Sequence, residues 1–210
     1  MKSKYAVAIG REFGSGGKEI GSIAASLLGV KFFDKEIIEI ASKESGLSLE
    51  HFERADEKKS FSLKSGMVGL RSSFLDDVAS ESNLGSENLF NIQSKVMRSL
   101  VSDTAAVIVG RCADYVLDGY VPVLSVFVTA SPEERIERVR RRSGLSRSEA
   151  EEMTEKMDKT RSSYYFYFTG KQWGEKESYD IVLDSSFFGI EGCARIIEKI
   201  VNDIWRPDIT

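Results

Sequence analysis

The chain has 210 residues, with 29 lysines and arginines against 33 aspartates and glutamates, for a formal net charge of −4. That length fits one domain with a real core, with room for inserted lobes. A slightly acidic balance supplies no global field for nucleic acid or an anionic membrane, although a local basic site remains compatible with it. Cys112 and Cys193 lie far apart, and with His51 as the only histidine they make no zinc set. Both cysteines read as small buried apolar residues, and His51 reads as a surface residue. The apolar run Ala6 to Ile9 stops at Gly10 and Arg11, too short for a signal peptide, and no later stretch is long enough to span a bilayer. These features lead to the expectation of a cytoplasmic protein with neither nucleic-acid nor membrane partners.

Tyr5 to Ile9 reads as a buried strand ended by Gly10. A glycine-rich loop, GREFGSGGKEIG, leads into a helix carrying Ile20, Ile23, Ala24, Leu27 and Leu28, with Gly29 as its C-terminal cap. Val30 to Phe33 is a second strand, and a helix follows from Asp34 with Ile37, Ile38, Ile40 and Ala41 on one side. Residues 45 to 86, rich in serine, glycine and charge, read as short helices and turns. Leu89, Ile92, Gln93, Val96, Met97 and Leu100 mark an amphipathic helix.

Ala105 to Val109 and Val121 to Val128 are β-branched runs of the kind buried on both faces of a parallel sheet. Two helix starts follow with one signature. Ser131-Pro132-Glu133-Glu134 places Ser131 as N-cap and Glu134 to complete a capping box, and Ser146 with Glu149 repeats the pattern. Between them lies the most basic stretch, RVRRRSGLSR, mostly a solvated face, with one or two arginines able to swing onto phosphates. Tyr179 to Leu183 is a fifth strand, and Ile190, Cys193, Ile196, Ile197, Ile200, Val201 and Ile204 line the last helix. Strands alternating with helices predict a parallel sheet with right-handed crossovers, whose ligands sit at the carboxyl ends of the strands. Gly10, Asp34, Gly110, Ala130 and Asp184 follow the strand ends and should converge there.

The glycine loop has three readings. A phosphate cradle needs glycines, a helix N-terminus and a lysine, and Gly14-Ser15-Gly16-Gly17-Lys18 supplies them in order. Against GxxxxGK[ST], however, Glu12 occupies the first glycine position and Glu19 the hydroxyl position. A dinucleotide loop is the second reading, with Tyr167 and Lys171 mimicking a catalytic Tyr–Lys pair. Gly170 lies inside that pair, and the next strand is too distant for a simple βαβ unit. The third reading is a turn without a ligand, which four glycines and a lysine at a helix start make the less economical choice.

IGREFGSGGKEIG, FFDKEIIEIA, AVIVGRCADYVL, VFVTASPEERIERV and DKTRSSYYFYFTGKQWG, in this order, resemble the cytidylate-kinase-like family over nearly the whole chain, most weakly over residues 55 to 85. The resemblance implies an α/β P-loop NTPase fold, a five-stranded parallel sheet flanked by helices. It divides a single domain 1–210 into core (1–34, 102–135 and 178–210), a helical acceptor-binding insertion (35–101) and a lid region (136–177). It implies Lys18 on the donor phosphates, Arg111 at the acceptor nucleotide, and Asp158 with Arg161 on acceptor sugar and phosphate. This sequence departs from the family pattern at Val109, where an aspartate is usual, at Glu19, where Ser or Thr is usual, and after Asp34, where a Ser/Thr and an arginine are usual.

The residues expected to act are therefore Lys18, Arg111 and Arg161 in catalysis, Gly14 to Glu19 on the donor, and Asp34, Arg111, Asp158 and Arg161 on the acceptor. Asp34 is also open to a helix-capping role, and Asp114 to pairing with Arg111. Glu19 is the candidate Mg²⁺ ligand, with a helix-dipole role as the alternative. The aromatic run Tyr164 to Phe168 reads as packing between lid and core. The expected reaction is γ-phosphoryl transfer from ATP, with Mg²⁺, to a pyrimidine nucleoside monophosphate such as CMP, by a monomer or homodimer. A P-loop regulator with little kinase activity, or a kinase for a non-nucleotide small molecule, are the alternatives.

Overall fold

The computed structural model describes residues 4–47 and 74–205. In chain order the elements are β1 (Ala6–Arg11), α1 (Gly17–Leu28), β2 (Lys31–Phe33), α2 (Glu36–Ser45), α3 (Phe74–Val101), β3 (Ala106–Val109), α4 (Ala113–Leu117), β4 (Val123–Thr129), α5 (Pro132–Ser143), α6 (Arg147–Thr169), β5 (Ile181–Asp184) and α7 (Ser185–Trp205). The strands form one sheet in the order β2-β3-β1-β4-β5, and every pairing is parallel. β1 lies at the centre, with Ile9 opposite Val109 on one side and Val126 on the other.

Alternation along the strands divides the core. Val7, Ile9, Val107, Val109, Val126 and Val128 face α1 and α7, where Ile20, Ala24, Leu28, Cys193, Ile197 and Val201 are buried against them. Ala6, Ala8, Ala106 and Ile108 face the other way, onto Ile37 and Ala41 of α2, Val96 and Met97 of α3, and Leu117 of α4. The inner strands β1 and β3 are covered on both faces and buried along most of their length, which is why they read as continuous apolar runs. Cys112 and Cys193 are both buried, as expected.

The helix ends mostly follow their sequence signals. Gly29 takes a left-handed conformation and its N–H donates to the carbonyls of Ala25 and Ser26. Ser146 and Glu149 make the full reciprocal capping box of α6. The box at α5 is only half made. Ser131 Oγ accepts from Glu134 N–H, but the Glu134 carboxylate turns to Arg138 one turn on, 2.6 Å away, and the Ser131 N–H donates instead to Ser186 Oγ. The carboxylate takes a cationic guanidinium as its partner there in preference to a backbone N–H.

α3 begins at Phe74, fifteen residues before the first strongly periodic position, Leu89. Serines 80, 82 and 86 with Gly85 dilute the apolar repeat that would have announced it. His51 and the turns expected between 48 and 73 lie outside the described residues. Among the described residues no helix is long and apolar enough to cross a membrane.

Candidate active site

β1 delivers the chain into the glycine loop. Gly14 and Gly16 have φ of +81° and +82°, a backbone state that side chains resist. Ser15 between them is fully buried. Its N–H and Oγ both donate to the Glu12 carbonyl, and its own carbonyl accepts from Ser185 Oγ at 2.7 Å. The loop therefore opens α1 with Lys18 in the first turn. The Lys18 ammonium is exposed, and it lies 3.0 Å from the Asp34 carboxylate at the end of β2. Asp34 is otherwise buried, with Arg11 3.8 Å from its other oxygen. It does not cap α2. The N-cap position belongs to Lys35, without a side-chain hydrogen bond, and the Asp34 N–H donates to Glu36.

The end of β3 is strained. Gly110, Arg111 and Cys112 have φ of +78°, +61° and +53° in succession. Left-handed non-glycine residues cost on the order of 1–2 kcal/mol each and gather at functional sites. A Cβ on Gly110 would collide with the Arg11 guanidinium, so glycine there makes room for an arginine. Asp114, one turn on, accepts from Tyr165 Oη at 2.7 Å. Burial pushes its carboxyl pKa above the ordinary aspartate range, against the opposing pull of that hydrogen bond. Burial likewise raises the Tyr165 and Tyr179 phenols.

α5 and α6 reach the loop from the other side. Asp158 Oδ1 accepts from the Phe13 N–H at 2.6 Å, and its other oxygen meets Arg135. Glu12, in the place of the first P-loop glycine, accepts from Thr129 Oγ1 and Ala130 N–H and lies 3.6 Å from Arg135 Nε. Arg161 donates to the Arg11 carbonyl at 3.0 Å and stands 5.2 Å from the Phe13 ring. Burial first, and then Arg11, pushes its pKa down to about 9, which leaves it cationic at neutral pH.

These elements enclose one cavity of about 980 Å³ at the carboxyl ends of the strands, at the upper end of the usual range for small-ligand sites. Gly14, Gly16, Gly17, Lys18, Glu19, Asp34, Arg111 and Arg161 all line it. Ser15 and Asp158 do not; both are turned into the loop's own framework. Arg11, the last residue of β1, lines the cavity as well, although no sequence motif marks it. Of the basic stretch, Arg138, Arg141 and Arg142 line the cavity; Arg138 also pairs with Glu134, Arg140 and Arg141 share Glu137, and Arg147 binds Glu133 at the surface. Tyr165 is buried with Cys112, Phe127 and Tyr179, and Phe168 stacks on Phe90 at 4.0 Å, so much of the aromatic run packs as expected. Phe166 and Tyr167 are exposed.

Gly170 ends α6 in a left-handed conformation, and Tyr167 Oη donates to Glu87. The helix thus stops between Tyr167 and Lys171 and cannot hold them as a catalytic pair. No cluster of three or more potential metal ligands occurs among the described residues. Mg²⁺ asks for less, since one or two carboxylates plus phosphate and water oxygens suffice. Asp34 and Glu19, both on the cavity wall beside Lys18, fit that requirement.

A model of the cytidylate kinase-like family matches residues 6–187. The chain belongs to the cytidylate kinase-like family. A cytidylate kinase from Pyrobaculum arsenaticum is 32% identical over 103 residues, which cover 45% of this chain and 55% of that protein. The chain thus matches little more than half the length of this curated relative. An uncharacterized protein from Eubacterium ventriosum superposes with a TM-score of 0.70 at 22% identity, over 94% of this chain and 98% of the other. A shikimate kinase from Bacteroides thetaiotaomicron gives 0.52 at 10% identity, over 94% and 98%. These structures share the fold of this kinase-like family member.

Proposed function

We propose that this family member transfers the γ-phosphoryl group of ATP to a pyrimidine nucleoside monophosphate such as CMP. One observation carries the reading: Lys18 on the glycine loop shares a single cavity with Arg111 and Arg161, which come from two other segments. The Pyrobaculum relative, a cytidylate kinase, supports the acceptor class. The glycine loop and the α1 N-terminus receive the donor phosphates, as helix starts favour anions. Lys18 is held by Asp34 at 3.0 Å and exchanges that carboxylate for phosphate oxygens as the donor binds.

Asp34 and Glu19 would hold Mg²⁺, which supplies charge neutralisation between the transferring phosphates. Arg111 and Arg161 face the acceptor, and Arg138, Arg141 and Arg142 offer further guanidinium groups along the same wall. Phosphoryl transfer asks little covalent chemistry of a protein, so positioning and fixed positive charge do the work. Tyr164 and Trp173 give the cavity an aromatic wall suited to a base.

A coupled ADP-release assay over a panel of nucleoside monophosphates and small alcohols tests this. CMP-dependent ADP release supports the reading. Turnover of a non-nucleotide alcohol alone would replace the acceptor, and ATP binding without any turnover would favour a nucleotide-binding regulator.

A further inference from the structure

The family resemblance assigns Asp158 to the acceptor, but the geometry gives it other work. Both its carboxylate oxygens are spent on the donor side. One takes the Phe13 N–H within the glycine loop, and the other pairs with Arg135, whose side chain is largely buried. Arg135 Nη1 also reaches the Phe13 carbonyl at 3.4 Å, and its Nε faces Glu12. The Phe13 ring completes the junction. It is buried among Ile136 and Val139 of α5 and Ala150 of α6. The loop is thus gripped by backbone, side chain and charge from the two helices that flank the cavity.

Glu12 stands where the P-loop pattern has its first glycine. A glutamate there sends its carboxylate to the end of β4, and Arg135 neutralises both Glu12 and Asp158 together. Three charged side chains from the loop, α5 and α6 then depend on one another.

We propose that Glu12, Arg135 and Asp158 form a latch that sets the geometry of the donor loop from α6, making Asp158 a positioning residue for ATP rather than a ligand of the acceptor. This rests on the reading of the loop as the ATP site. A change on α6 should therefore appear as a change in donor affinity.

Titration calorimetry measures ATP and CMP binding separately, in wild type, Asp158→Asn, Arg135→Gln and the double variant. Asp158→Asn keeps the side-chain volume and an acceptor for the Phe13 N–H, and removes the charge that Arg135 needs. It should weaken ATP by about tenfold, the size expected for a lost charge-assisted hydrogen bond, and leave CMP within about twofold. The double variant should lose no more ATP affinity than the worse single variant, because the two residues act as a unit. Weakened CMP with unchanged ATP would return Asp158 to the acceptor and overturn the proposal. Equal weakening of both ligands, or additive losses in the double variant, would overturn it as well, by marking general loosening. A wild-type protein that binds no ATP would overturn the kinase reading itself, an outcome distinct from these.

Discussion

Gly14, Gly16 and Gly29 share a left-handed backbone but differ in what a side chain would meet, so alanine at each separates strain from crowding. At Gly29, φ is +63° and nothing lies within 4 Å of an added Cβ. Gly29→Ala should cost only the conformational strain, about 1 kcal/mol. At Gly16 the added Cβ would meet the terminal methyl of Ile190, which can rotate away at about 1 kcal/mol more. At Gly14 it would sit 2.6 Å from the Arg135 carbonyl oxygen and 3.0 Å from the Arg135 Cα. That is backbone at the centre of the latch, and it cannot turn aside. Overpacking of this kind adds about 2 kcal/mol, for a total of about 3 kcal/mol. For a chain of this size 1 kcal/mol lowers Tm by about 2–4 °C, so the expected losses are about 3, 6 and 9 °C for Gly29, Gly16 and Gly14. Thermal melts followed by circular dichroism give the order. Gly14→Ala melting within about a degree of Gly29→Ala would refute the packing of the loop against α5.

Three further outcomes follow from the site. Arg111→Ala should lower kcat/KM for CMP by about 10–100-fold, as loss of a charge-assisted contact does, and unchanged steady-state kinetics would remove Arg111 from the acceptor. If Glu19 serves the metal, chelation with EDTA should weaken ATP binding far more in wild type than in Glu19→Gln, whereas equal losses by calorimetry would assign Glu19 to the α1 macrodipole. Asp114 has a native pKa raised above its ordinary 3.8 by burial, so the folded state binds its proton more tightly than the unfolded state. Its contribution to stability is therefore present below that ordinary value and is lost as pH rises through the raised native one. Asp114→Asn keeps an acceptor for Tyr165 and removes the buried charge, so its Tm relative to wild type should improve from mild acid to neutral pH. A difference that does not change with pH would contradict the sign.

The sheet was legible because the strands are short, largely apolar runs with Gly10, Asp34, Gly110, Ala130 or Asp184 at or just past their ends, and a parallel sheet brings those ends together. The glycine loop at the start of α1 was legible from glycine spacing and Lys18, and the α6 start from Ser146 and Glu149. The rest depended on competition that sequence does not display. Glu134 left its capping box for Arg138, and Asp114 accepts from Tyr165, a partner 51 residues away. Asp158 and Arg161 sit one turn apart on α6, and only the tertiary fold shows that both reach the backbone of the glycine loop, at Phe13 and Arg11. Arg11 was hidden for a related reason. Nothing local marks it, and its position follows from the space that Gly110 leaves on the neighbouring strand.

The most direct test of the central claim is transfer of label from γ-labelled ATP to CMP in a single turnover, with Lys18→Ala as the comparison. Lys18 is exposed in the first turn of α1, where alanine suits a helix, so the variant should fold. The account requires labelled CDP from wild type and a loss of about a hundredfold or more in rate for Lys18→Ala, as removal of a phosphate-stabilising cation brings. Label appearing only as inorganic phosphate, or CDP formed equally fast by both proteins, would contradict it.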